Sequence, residues 1–110
     1  MDVFAKVYNL QLYDGMVMPV TNMVTSYENA FVFLNHSEDE CTFNLSILSH
    51  GVSWKAKNLS IISMTVMPDT INPELYNYDI TFKETGSTPH LVRVLFQCQL
   101  SFGNLLRHRT

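Results

Sequence analysis

Charged residues are scarce in this sequence. Only 15% of the 110 residues are Asp, Glu, Lys or Arg, whereas about a quarter is usual for a soluble domain. The net charge of −3 excludes long-range attraction to a nucleic-acid backbone. Because few charges are left to cover the surface, we expect some apolar surface to be covered by a protein partner or a second copy.

Long apolar runs are also missing. No window of 18 consecutive apolar residues occurs, so the sequence predicts no membrane span. Residues 1–15 lack the basic region and continuous apolar run of a signal peptide. We therefore expect a cytoplasmic protein by default, or a secretory one if this is a mature or trimmed chain. The length predicts one domain, residues 1–110.

Motifs of catalysis and cofactor binding are absent from the sequence. There is no Cys-x-x-Cys, Gly-x-Ser-x-Gly, P-loop or dinucleotide-binding glycine pattern. The four histidines fall in predicted loops or the tail, whereas both cysteines fall in mid-strand positions that face inward. We therefore predict no enzymatic activity, no catalytic residue, no metal ligand and no cofactor.

Alternation of apolar and polar residues dominates what is present. It is clearest over residues 91–102, where Val92, Val94 and Phe96 share one face. Strands are predicted at residues 3–13, 16–24, 30–34, 41–47, 52–57, 59–67, 75–83 and 91–102. Many short strands indicate an all-β fold, an antiparallel β-sandwich of about seven to eight strands with an immunoglobulin-like or jelly-roll-like arrangement.

Three connections stand out between these strands. Asp14-Gly15 predicts a tight hairpin turn, because a type I′ turn needs positive φ at both central positions. A second pair ending in glycine, residues 50–51, breaks a later connection, and residues 35–40 form a polar hairpin loop. The carboxylates of residues 38–40 are hard-cation ligands by type. Adjacent carboxylates in a strand connection point in different directions, so we predict a solvated turn.

Two cysteines and three asparagines are candidates for covalent modification. Cys41 and Cys98 both fall on inward faces, and a disulfide between them would stabilise the fold by about 4 kcal/mol. The alternative is two buried thiols. N-glycosylation sequons begin at Asn35, Asn44 and Asn58. The alternative there is three accidental tripeptides in a serine-rich chain.

The order Cys41, Trp54, Cys98 resembles the pattern of immunoglobulin-like domains. The stretch FVFLNHSEDECTFNLSI, residues 31–47, resembles the strand, turn and strand of immunoglobulin-like and fibronectin-like domains. The resemblance covers residues 27–102. It implies a sandwich whose two sheets are joined by a disulfide with the tryptophan packed on it.

The N-terminal hairpin carries more apolar residues than one buried face needs. Tyr8, Leu10, Met16 and Met18 are therefore the predicted interface. We predict a non-catalytic protein–protein interaction or assembly module that self-associates through apolar strand surface. The alternatives are a secreted or surface immunoglobulin-like recognition domain, a small viral accessory or structural protein, and a lipid-holding β-sandwich.

Overall fold

Six antiparallel strands form a closed barrel. The computed structural model describes residues 2–16, 24–38, 41–85 and 90–99, and these ranges contain no helix. The strands are β1 (Asp2–Met16), β2 (Val24–His36), β3 (Phe43–Ser49), β4 (Val52–Pro68), β5 (Tyr76–Glu84) and β6 (Leu91–Cys98). Each strand pairs with the next, and β1 also pairs with β6. The predicted all-β class is confirmed, whereas the predicted two-sheet sandwich of seven to eight strands is wrong.

A bulge explains why two of the predicted strands are one strand. The predicted strands at 52–57 and 59–67 are one 17-residue strand, β4. Asn58, which joins them, has a φ of 59° at a shift in the β3–β4 register. Asn9 has a φ of 52° at a similar shift between β1 and β6. A bulge adds one residue and bends a strand without ending it, so these long strands curve around one core.

The two Xaa-Gly pairs take different structures. Asp14-Gly15 was predicted to be a hairpin turn, and this is wrong because both residues lie within β1. Gly15, with a φ of 78°, marks a register shift against β6, which is typical of a bulge with glycine in the left-handed region. His50-Gly51 forms the predicted break between β3 and β4, with φ values of 52° and 80°. The predicted strand at 16–24 falls largely on residues 17–23, which lie outside the described residues.

The predicted hairpin between β2 and β3 is confirmed. Its two strands pair from Phe31↔Leu48 to His36↔Phe43. The Ser37 amide donates to the Thr42 carbonyl at 2.8 Å, and the Ser37 and Thr42 hydroxyls lie 2.6 Å apart. These bonds close the connection around the buried Ser37. Of the three adjacent acids, Glu38 is exposed, and residues 39 and 40 lie outside the described part of the chain.

The core fills the barrel interior. The alternation predicted for the last strand is confirmed over residues 91–98, where Val92, Val94 and Phe96 are all buried; residues 100–102 of that prediction lie outside the described residues. Tyr78 of β5 stacks on Phe96 with ring centroids 5.1 Å apart. All six strands contribute buried apolar residues: Val7, Leu10, Leu12, Ala30, Val32, Leu34, Leu45, Ile47, Leu59, Tyr78, Ile80, Phe82, Val92, Val94, Phe96 and Cys98. Burial of this shared apolar set is the main force that holds the strands together.

Candidate interaction surface

An apolar cluster lies on the outer surface of β1, β2 and β3. The strand register places Phe4 opposite Phe33 and Phe31 opposite Leu48. The inward positions between them hold the core residues Val32 and Leu34. We call Phe4, Phe31, Phe33 and Leu48 the aromatic face. It exists because β2 is apolar on both of its faces over residues 30–34.

The rings of the aromatic face pack against one another while remaining open to solvent. Phe4 stacks on Phe31 with centroids 5.4 Å apart and planes 14° apart, and it meets Phe33 edge-on at 5.9 Å. Phe4 is 63% exposed, Phe31 41% and Leu48 45%. Aromatic clusters of this kind carry much of the binding energy when a partner buries them.

A shallow groove borders the aromatic face. Lys6, Phe31 and Leu48 line it together with the β3–β4 turn. The Ser49 hydroxyl donates to the Asn29 carbonyl at 2.7 Å and ties β3 to β2 beneath the groove. The Lys6 ammonium lies 5.5 Å from the centroid of the Tyr8 ring. The border of the face is therefore cationic on its β1 side.

The four predicted interface residues do not form one surface. Tyr8 faces outward and is half-buried under Lys6. Leu10 is 0% exposed and belongs to the core, so it is not kept in the interface proposed below. Met16 ends β1, and Met18 lies outside the described residues. The sequence signal that identifies the aromatic face is the uninterrupted apolar run 30–34, where alternation fails.

The two cysteines lie in different environments. Cys41 is exposed in the turn before β3, not on the predicted inward face, and Cys98 is buried in the core. No disulfide joins these two residues in the structure. Burial raises the pKa of the Cys98 thiol, an effect opposed by a backbone hydrogen bond from Gln99. The Cys98 thiol lies 3.8 Å from the Lys6 carbonyl oxygen, to which it donates.

The fold brings the three sequon asparagines together on adjacent strands. Asn35 of β2 is the register partner of Asn44 of β3. The backbone amide of Asn58, in β4, donates to Asn44 Oδ1 at 3.4 Å. Asn58 is exposed, whereas Asn35 and Asn44 are half-buried. Sequence order alone gives no sign of this grouping, since it does not assign pairing partners.

A polar cluster lies where β1, β4, β5 and β6 meet near one end of the barrel. His90 Nε2 lies 3.0 Å from a Glu84 carboxylate oxygen and 3.4 Å from one of Asp14. The other Asp14 oxygen accepts a hydrogen bond from Trp54 Nε1 at 3.1 Å. Trp54 also packs against the core. These contacts fasten the first half of β4 to the end of β1.

A second polar cluster surrounds Asp69 in the β4–β5 connection. Its Oδ2 accepts from the backbone amides of Ile71 and Asn72, and its Oδ1 accepts from the side chains of Asn77 and Gln97. These bonds, the one from the Asn72 amide first, lower the pKa of Asp69. Each of these hydrogen bonds satisfies a backbone or side-chain amide group, so the cluster stabilises the β4–β5 connection.

An ion pair links β5 and β6 on the outer surface. Arg93 donates from Nε and Nη2 to the two carboxylate oxygens of Asp79, at 2.9 and 2.6 Å. The hydrogen bond to Asp79 raises the pKa of Arg93. The guanidinium also lies 5.8 Å from the centroid of the Tyr13 ring. Two parallel bonds give this pair a defined geometry, and they link β5 to β6.

The described residues contain no group of three or more His, Cys, Asp or Glu side chains arranged to hold a metal ion. The same part of the chain includes no helix with the length and hydrophobicity that a membrane crossing requires. The polar clusters are occupied with internal hydrogen bonds. Val52, Ile62, Met67 and Ile71 are also exposed, but the aromatic face is the described outer surface where exposed aromatic rings pack against one another.

The sequence matches no protein-family model, and comparison with curated proteins gives no match. Comparison of the fold with solved structures also gives no match.

Proposed function

We propose that this protein is a non-catalytic assembly module that self-associates through the aromatic face. The observation that carries the proposal is the exposed stack of Phe4 on Phe31, with Leu48 open beside it. Large apolar patches on soluble proteins mark interaction surfaces. The occupant is a second copy of the chain, because two identical apolar faces that carry little charge do not repel each other.

The charge distribution supports this choice of surface. Within the described residues, the contacts of His90 with Asp14 and Glu84 and the ion pair of Arg93 with Asp79 lie away from the aromatic face. The aromatic face has Lys6 at its border. A chain of low charge has few means to keep such a face soluble as a monomer, and association removes it from water.

The test is the mass of the protein in solution as a function of concentration. Sedimentation velocity of the wild type should show a dimer or larger species that dissociates on dilution. Phe31→Lys should lower the association at least tenfold, because it places a charge within the stacked rings. Ile62→Lys is the matched control, since Ile62 is 54% exposed on β4 and lies outside the aromatic face.

Two results would contradict the proposal. A wild type that remains monomeric at every concentration would exclude self-association. An oligomer weakened equally by Phe31→Lys and Ile62→Lys would show that added charge alone matters. The thermal midpoint of each variant should stay close to that of the wild type, because both substitutions are on the outer surface.

A further inference from the structure

The N-terminal half of β1 extends beyond β6. The β1–β6 register runs from Met16↔Leu91 to Tyr8↔Gln97, whereas β1 pairs with β2 as far as Asp2↔Asn35. Among the described residues, no strand pairs with residues 2–7 of β1 on the β6 side. This stretch, which we call the β1 edge, is a template for another strand.

The backbone orientation of the β1 edge can be read from one contact. The Cys98 thiol approaches the Lys6 carbonyl from β6, so the backbone groups of Lys6 face the β6 side. Alternate residues of a strand present their N–H and C=O groups to the same side. Phe4 and Asp2 therefore offer backbone donors and acceptors along the same edge.

The described end of β6 makes a contact with β5. Gln99 follows Cys98, and its carbonyl accepts a hydrogen bond from the Tyr78 hydroxyl at 3.1 Å. Tyr78 is a core residue of β5, on the far side of β6 from β1. The Gln99 carbonyl is therefore bonded from the β5 side, and the residues that follow it lie outside the described part of the chain.

The sequence of the β1 edge is complementary to itself. In an antiparallel pairing of two copies centred on Phe4, position 2 of each chain lies opposite position 6 of the other. Position 2 is aspartate and position 6 is lysine. Opposite charges at facing positions stabilise a strand pair, and like charges destabilise it. The pairing also brings Phe4 of each copy, and with it the edge of the aromatic face, to the two-fold axis.

We propose that two copies of this chain pair antiparallel along their β1 edges, with Phe4 at the two-fold axis and Asp2 opposite Lys6 of the second copy. This inference rests on the proposed function and names its geometry. The sheet then continues from β3, β2 and β1 of one barrel into β1, β2 and β3 of the other. Such a contact is isologous, so it closes at a dimer.

The experiment is a charge exchange on the full-length chain, read by sedimentation velocity. Lys6→Asp alone places two acids opposite each other at both ends of the pair, and we expect the dimer dissociation constant to rise at least tenfold. Asp2→Lys alone should do the same with two lysines. The double variant Asp2→Lys with Lys6→Asp restores opposite charges, and we expect it to recover the wild-type constant to within about threefold.

Hydrogen exchange supplies a second readout. The amides of residues 2–7 should become more protected as the protein concentration rises through the dissociation constant. Protection at dilutions where the mass is monomeric would mean that another part of the same chain, such as residues 100–110, covers the β1 edge. That result would overturn the inference.

The remaining outcomes separate this inference from the proposed function. A dimer that is lost in Phe31→Lys but unchanged in Lys6→Asp and Asp2→Lys would overturn edge pairing and keep association through the aromatic face. A double variant as weak as either single variant would also overturn edge pairing. A wild type that is monomeric at every concentration would overturn both proposals.

Discussion

Several strands of this barrel project beyond a neighbour within the described residues, and two of these edges differ in charge. The β1 edge passes the end of β6. Residues 52–58 of β4 pass the end of β5, because the β4–β5 register begins at Leu59↔Glu84. Antiparallel self-pairing of this second edge about Ala56 would set Lys55 against Lys57 of the other copy. The same operation on the β1 edge sets an acid against a base.

The comparison shows how charge placement can allow one edge to pair with a second copy and prevent the other edge from doing so. Lysine on an edge strand is a common means of preventing unwanted pairing. Lys55 and Lys57 are both exposed, and self-pairing would bring two like charges together at each end. Lys6 would also repel an unrelated basic strand. Its own chain, however, supplies the complementary aspartate four residues earlier.

Trp54 should produce the largest effect, because it anchors the β4 edge. Its ring packs on the core and its Nε1 donates to Asp14. We expect Trp54→Ala to destabilise the fold by about 3 kcal/mol, near the low end for such truncations since the ring is only partly buried. Urea unfolding measures this. Phe4→Ala is the matched aromatic truncation on the exposed β1 edge and should cost less than about 0.5 kcal/mol at concentrations where the protein is monomeric.

Lys55→Glu should convert the closed β4 edge into a self-complementary one. The introduced carboxylate of one copy would then lie opposite Lys57 of another, and each chain would have two pairing edges. Two different contacts on each chain build open arrays, so we expect sedimentation to show species larger than a dimer. The control is Lys83→Glu, which makes the same charge change on β5, a strand paired on both sides. Equal behaviour of the two variants would contradict the comparison.

Low pH should weaken the hydrogen bonds that link Asn9, next to the β1 edge, to Asp69. Asn9 at the β1 bulge donates to Gln97, and Gln97 donates to Asp69. The pKa of Asp69 is lowered, so its contribution to stability is present at neutral pH and is lost as the pH falls through that lowered pKa, below about pH 4. The thermal midpoint of Asp69→Asn should be lower than that of the wild type at pH 7. The difference between the two midpoints should become smaller at acidic pH.

The control for this pH dependence is Glu74→Gln in the same loop, whose side chain is exposed. It removes one carboxylate without removing the acceptor of four hydrogen bonds. A thermal midpoint difference between wild type and Asp69→Asn that does not change from pH 7 to pH 3 would contradict the assignment.

Cysteine labelling should give the smallest and most local effect. Exposed Cys41 should react with a thiol reagent at once at neutral pH. Cys98 should react slowly because burial raises its pKa and the thiolate is the reactive form. Cys98 also contacts Lys6 at the β1 edge, so dimer formation should slow its labelling further. A Cys41→Ser variant isolates this slow reaction, and rapid labelling there would show that the β6 end opens freely.

Residue periodicity predicted the strands that are half-buried. The alternation over residues 91–102 placed Val92, Val94 and Phe96 on one face, and all three are buried. Periodicity failed at the bulges, where one added residue changes the face and imitates a strand end. It therefore places a break at Asn58, within what is one strand, and a turn at Gly15.

The candidate surface was less predictable than the strands. The low charge indicated covered apolar surface, but it did not locate that surface. The predicted residues around Tyr8 included Leu10, which the bulge at Asn9 turns into the core. Phe4, Phe31 and Leu48 come from three strands, and only the register shows that they are neighbours.

The sequence by itself determined the all-β class, the β2–β3 hairpin and most of the buried face, because alternation and turn chemistry are local properties of the chain. Only the tertiary structure decided that the sheet closes between β1 and β6 and that residues 2–7 of β1 have no partner on the β6 side among the described residues. Those outcomes depend on bulges, strand lengths and long-range register. A one-residue change in any of them alters which side chains meet, and no local pattern in the sequence records that choice.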